Sequence, residues 1–193
     1  MHTGSSVARR LVTAAWITSA SLGLRQAQQP KPAHAANLHD AAARYRLTYP
    51  DDGWMPAPKP VRTHLVETLY KGPAKGLSYG VTVDPVKIDS LEDFGTPEQV
   101  ADRVLSVEET RDGVFTVELR SVQATAGSPS YYTIEYAVDS SRGKKVYLCK
   151  YCISARKLYV LQTQALLNDF DAPDRVVSKQ LRGIIDSFVV EAS

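Results

Sequence analysis

Cys149 and Cys152 stand in C-x-x-C spacing and are the only two cysteines in the chain. Such a pair could carry dithiol–disulfide exchange. The neighbouring residues argue otherwise. KKVYLCKYCI (144–153) is rich in β-branched and aromatic residues and predicts a strand. On a regular strand, positions i and i+3 face opposite sides and stand about 10 Å apart. A disulfide tolerates no more than about 7 Å between Cα atoms. A thioredoxin-type motif also belongs at a helix N-terminus. The expectation is two buried packing cysteines, and the alternative is a thiol- or redox-regulated protein using Cys149 and Cys152.

Other reactive groupings are sparse. No nucleophile elbow and no glycine-rich phosphate cradle occurs. His64 lies in a predicted strand, where a hydrogen-bonded structural histidine is the default. Acids gather at Asp51 and Asp52, and again at Asp169, Asp171 and Asp174. Turn formation and helix capping account for both groups, and neither has the ligand count of a dedicated calcium loop. No catalytic or cofactor-binding residue and no metal ligand is assigned, and the chain reads as non-enzymatic.

The elements that must position these side chains follow from periodicity. YRLTYPDDGW (45–54) alternates into a Pro-Asp-Asp-Gly turn, and MPAPKP (55–60) reads as an extended edge or loop. Strands are predicted over 62–70 and 77–85. A helix follows at 95–109, with Thr96 as N-cap, Pro97 at its first position and Gln99 closing a capping box. Strands at 114–124, 131–138, 144–153 and 157–165 form an antiparallel meander. Val146, Leu148 and Cys152 point one way; Tyr147, Cys149, Tyr151 and Ile153 point the other. Apolar residues on both faces require a cover on each. A second helix, 174–190, capped by Asp171 or Asp174, completes an expected α+β fold: a three-layer αβα sandwich with a central antiparallel sheet and helices on both faces.

The first 35 residues read as an export signal. Arg9 and Arg10 precede a weakly apolar run, Leu11–Leu24, too short to span a bilayer core of about 20 helical residues. Ala33 and Ala35 suit a small-residue cleavage site, with cleavage after Ala35. Paired arginines before a Ser/Thr/Gly-diluted segment point to the twin-arginine route. The leader holds four basic residues and no acids, leaving 19 basic against 21 acidic residues in 36–193. The basic balance of the whole chain therefore implies no nucleic-acid partner. Residues 36–44 read as a short flexible lead-in carrying His39, and 45–190 as one domain.

In their order, these motifs resemble the PsbP family, whose founding member is an extrinsic oxygen-evolving-enhancer subunit of photosystem II. YRLTYPDDGW is similar to the family's Tyr-x-Phe-x-Tyr-Pro-x-Gly-Trp opening, and YYTIEYAV to its Tyr-Tyr-x-x-Glu-Tyr strand. DFGTPEQVADRVL resembles its Gly-x-Pro-x-x-Val-Ala helix, ARKLYVLQTQA its Gly-Lys-Leu-Tyr hairpin and LRGIIDSFVV its closing helix. The resemblance implies a non-enzymatic accessory protein of photosynthesis in the chloroplast thylakoid lumen. It implies peripheral binding to photosystem subunits on the lumenal membrane face, at the oxygen-evolving complex of photosystem II or during photosystem assembly. It also implies a link to Ca²⁺ and a monomer when free. LLNDFDAP (166–173) departs from the family's Arg-Trp at that place, so a PsbP-like or PsbP-domain protein is expected rather than the oxygen-evolving subunit itself.

Overall fold

The computed structural model describes residues 35–57 and 63–191. In chain order the strands are β1 Ala35–Asp40, β2 Tyr45–Pro50, β3 Met55–Pro56, β4 Val66–Lys71 and β5 Ser78–Pro85. Helix α1, Pro97–Glu109, precedes β6 Val114–Thr125, β7 Tyr131–Ser140, β8 Lys145–Ser154 and β9 Lys157–Leu166. Helices α2, Leu167–Phe170, and α3, Val176–Ser187, lead to β10, Val189–Val190. Arg9, Arg10 and Ala33 of the expected export signal lie outside the described residues.

Two antiparallel sheets result. The larger has seven strands in the order β3-β4-β5-β9-β8-β7-β6, and the smaller has three in the order β1-β2-β10. The meander β6–β9 is joined by short turns. Gly143, at φ 98°, supplies the left-handed residue between β7 and β8. Ala155 and Arg156, at φ 50° and 57°, form the tight β8–β9 turn, where two successive positive φ values match the twist of the strands.

The alternation of β8 divides the core in two. Val146, Leu148 and Cys152 join Tyr79, Val81, Leu161 and the α3 residues Leu181, Ile184 and Ile185. Cys149 and Ile153 join Ile134, Tyr136, Val138 and the α1 residues Val100 and Ala101. Helix α1 starts as its sequence dictates: the Gln99 N–H donates to Thr96 Oγ1 at 3.3 Å and the Thr96 N–H to Gln99 Oε1 at 3.0 Å.

The fold is α+β with antiparallel sheets, but three expectations need correction. First, 36–44 is not a flexible lead-in: β1 pairs residue by residue with β2, from Ala35 opposite Pro50 to Asp40 opposite Tyr45. Its sequence, AANLHD, lacks apolar alternation, so the pairing comes from β2 and not from its own pattern. Second, the helix expected over 174–190 ends at Ser187. Phe188 turns to extended backbone at ψ 121°, and Val189 and Val190 pair with Arg46 and Tyr45. Third, the helical covers expected on the two faces are partial in extent. Helix α1 packs on β6 and β7 and leaves the same face of β4, β5 and β9 open, while α3 shares its side with the small sheet.

Candidate functional site

The open half of the sheet is a surface that could contact another molecule. Along β5, Tyr79, Val81 and Val83 are buried toward α3, so Ser78, Gly80 and Thr82 face the opposite way. Along β9, Tyr159, Leu161 and Ala165 are buried, and Val160, Gln162 and Gln164 share the open face. Glu67, Leu69 and Lys71 continue it on β4, opposite Thr82, Gly80 and Ser78. The result is a shallow hollow of about 490 Å³ floored by amides and hydroxyls, with His64 and Arg111 at its margin.

Two further hollows adjoin it. One, of about 240 Å³, lies between the end of α1 and the β7–β8 turn; the other, of about 370 Å³, lies beside the β4–β5 turn. Gln164 lines all three. Glu108, in the last turn of α1, is buried there, where the negative end of the helix dipole disfavours a carboxylate. It is compensated by Arg111 at 3.2 Å and by the Tyr136 hydroxyl, which donates at 3.3 Å.

His64 sits as a structural histidine would. Its Nδ1 is 2.5 Å from Asp84 Oδ2, and Asp84 Oδ1 accepts the Leu65 N–H at 3.1 Å. The pair ties the segment before β4 to the end of β5. His39 lies on β1, with Nε2 3.2 Å from Glu191 Oε1.

On the α3 side, one buried carboxylate organises a second cluster. Strand β6 has a register shift between Leu119 and Ser121, so Arg120 is an extra residue against β7. Such a bulge re-aims a side chain. Here it places Arg120 Nε 3.3 Å from Glu135 Oε1, while Arg182 of α3 reaches Glu135 Oε2 at 2.5 Å. Both guanidinium groups lie over the Phe170 ring, at 5.5 and 5.6 Å from its centroid. The cluster fastens α2 and α3 to the sheet.

The cysteines are separated by the strand itself. Strand β8 pairs without a register shift on either side, and Cys149 and Cys152 fall in opposite halves of the core. Both are free and buried, and burial pushes each thiol up to about 12. Thiolate is the reactive form, so this environment disfavours exchange chemistry. The redox alternative has no support in this geometry.

The acids do not assemble a metal centre. Asp171 Oδ1 accepts from Arg120 at 2.8 Å, and Asp174 Oδ1 accepts the Val176 N–H at 3.1 Å. Neither is the N-cap expected of it, since α3 begins at Val176 and its N-cap is Arg175, at φ 55° and without a side-chain cap bond. Among the described residues no group of three or more His, Cys, Asp or Glu side chains converges. These residues do not fit a bound Ca²⁺, which takes six to eight oxygen ligands.

Sequence reasoning missed the shelf itself. Its signal was present in the polar positions Ser78, Gly80 and Thr82 and in Gln162 and Gln164. The cations around it come from separate turns and carry no motif.

Comparison with known proteins fits this fold. The PsbP family model matches residues 34–190. PsbP domain-containing protein 2, chloroplastic, of Arabidopsis thaliana is 40% identical over 85 residues, covering 42% of this chain and 36% of that relative's length. The solution structure of cyanobacterial PsbP (CyanoP) from Synechocystis sp. PCC 6803 superposes with a TM-score of 0.66 at 18% identity, covering 87% of this chain and 99% of that one. With a match over nearly all the described residues, this chain belongs to the PsbP family.

Proposed function

We propose that this protein is a non-enzymatic accessory protein of the thylakoid lumen that binds the lumenal side of a photosystem. The target is the oxygen-evolving complex of photosystem II or a photosystem assembly intermediate. The observation that carries this is the family match over residues 34–190, joined to an open half-sheet that offers amides, hydroxyls and cations. Such groups suit recognition of a protein surface.

Export by the twin-arginine route, with Arg9 and Arg10 as the signal and cleavage after Ala35, belongs to the same proposal. Ala36, the residue that cleavage would expose, is the partner of Tyr49 in the β1–β2 ladder. A peptidase needs an extended, unpaired substrate, so Ala35 and Ala36 must be free of β2 at the moment of cleavage, as the end of an edge strand can be. No calcium is placed on this chain, because Asp171 and Asp174 already have partners.

The test is native electrophoresis of gently solubilised thylakoids from the source organism. The expected result is co-migration with a photosystem complex and release by salt. Migration only as a free monomer contradicts the proposal.

A further inference from the structure

The sheet end around Gln164 gathers five cations, of which one, Arg111, is ion-paired. Lys71 and Lys75 flank the β4–β5 turn, Arg111 follows α1, Arg142 sits in the β7–β8 turn and Lys145 opens β8; all line the three hollows that meet at Gln164. Only two acids, Glu67 and Glu108, line the same hollows, and Glu108 is engaged by Arg111. Among the described residues Lys71, Lys75 and Lys145 form no ion pair, and Arg142 donates to a neutral acceptor, the Asp112 carbonyl, at 3.3 Å.

Residues 36–193 carry 19 basic and 21 acidic side chains, so an average patch of this surface is near neutral. The cations here are segregated. The Debye length is about 8 Å at physiological ionic strength, so neighbours around a shared hollow repel one another. Folding gains nothing from that repulsion. A cationic cleft does raise the local concentration of an anionic ligand and orient its approach.

The floor decides the shape of the ligand. The open faces of β5 and β9 form a strip about as long as an eight-residue strand, roughly 26 Å. Ser78, Thr82, Gln162 and Gln164 offer donors and acceptors along it, and Gly80 leaves its middle without a side chain. Such a strip takes an extended chain better than a compact anion.

We propose that the groove centred on Gln164 docks an extended acidic segment of a partner protein. Carboxylates of the segment meet Lys71, Lys75, Arg142 and Lys145, and its backbone bonds to the amides and hydroxyls of the floor. The partner's compartment rests on the accessory role proposed above; its chemistry does not.

The experiment is fluorescence anisotropy of a labelled peptide of alternating aspartate and serine, about the length of β5, titrated with the full chain at low and high salt. The expected result is salt-sensitive binding that the variant K71E/R142E/K145E weakens by at least about tenfold, or about 1.4 kcal/mol. A control reversal away from β5 and β9, R46E/R175E/K179E on β2 and around α3, leaves it within about twofold. Circular dichroism melts verify that each variant is folded. Equal loss in both variants, no binding by the unmodified chain, or a preference for phosphatidylglycerol vesicles over the peptide overturns the groove. If the peptide binds at the groove but the protein never co-migrates with a photosystem complex, the accessory role fails and the groove stands.

Discussion

One face of the seven-stranded sheet holds two regions that were built differently. Under α1, Ile134, Tyr136, Val138 and Cys149 are buried and apolar. On the neighbouring strands, on the same face, Ser78, Thr82, Gln162 and Gln164 look outward over β5 and β9. The backs of β5 and β9 are as apolar as any part of the core, with Tyr79, Val81 and Leu161 fully buried. The strands are equally secure in both regions; what differs is whether a helix lies on top. Covering dictates composition: β8 is apolar on both faces because both are covered, and β5 is apolar on one because one is open. On this face, apolar burial is concentrated in the covered half, and the open half is left to contact other molecules.

The widest separation between the halves is expected from truncation. Ile134→Ala removes a fully buried side chain and costs about 3 kcal/mol. Gln162→Ala, on the open half, shifts stability by no more than about 0.5 kcal/mol. Urea midpoints of the two variants measure the contrast, and equal losses would break it.

Next in size is the cluster that holds α3 on the other side of the sheet. Glu135→Gln leaves Arg120 and Arg182 facing each other without their shared carboxylate. Both arginines keep solvent contact, so the expected loss is about 2 kcal/mol. A double-mutant cycle with Arg182→Met reads the coupling, and a value near zero would make the cluster ornamental.

A smaller effect is expected at the start of the covering helix. Thr96→Ala removes the acceptor for the Gln99 N–H and costs about 1 kcal/mol. Thr96→Asn, which keeps an acceptor at that place, should recover most of it in the same thermal melts.

The cysteines test the covered core by pH. Each folded-state thiol is raised to about 12 by burial, against about 8.5 in an unfolded chain. The folded protein therefore holds its thiol protons where the unfolded chain releases them. Their contribution is complete below about pH 8.5 and is lost as pH rises toward 12. Raised tyrosines such as Tyr151 and Tyr147 act in the same direction above their usual range near pH 10. Urea midpoints should thus fall through the alkaline range. Thiol labelling of the native protein should stay negligible, with or without reductant. Rapid labelling at neutral pH would mean that β8 is not sealed.

Much of this arrangement was legible in the residues. The meander, the α1 cap and the two-sided apolarity of β8 followed from alternation and capping chemistry. So did the placement of Cys149 and Cys152 on opposite faces, which needed only the strand period. The α+β, antiparallel part of the expected fold was legible; how far each helical cover extends was not, because the two-sided apolarity of β8 speaks only for β8, and Ser78, Gly80 and Thr82 mark β5 as one-sided. Strand β1 has a single large apolar residue, Leu38, so no local pattern announces it; β2 recruits it through backbone bonds. The Arg120 bulge and the cationic rim arise from tertiary register, where residues distant in sequence meet, and no local motif encodes them.

The most direct measurement is lysine footprinting of the protein bound to thylakoid membranes. If the open half-sheet is the contact surface, Lys71, Lys75 and Lys145 lose labelling on binding, while Lys179 on α3 keeps it. Protection of Lys179 with the first set still reactive would contradict the account and move the contact to another face.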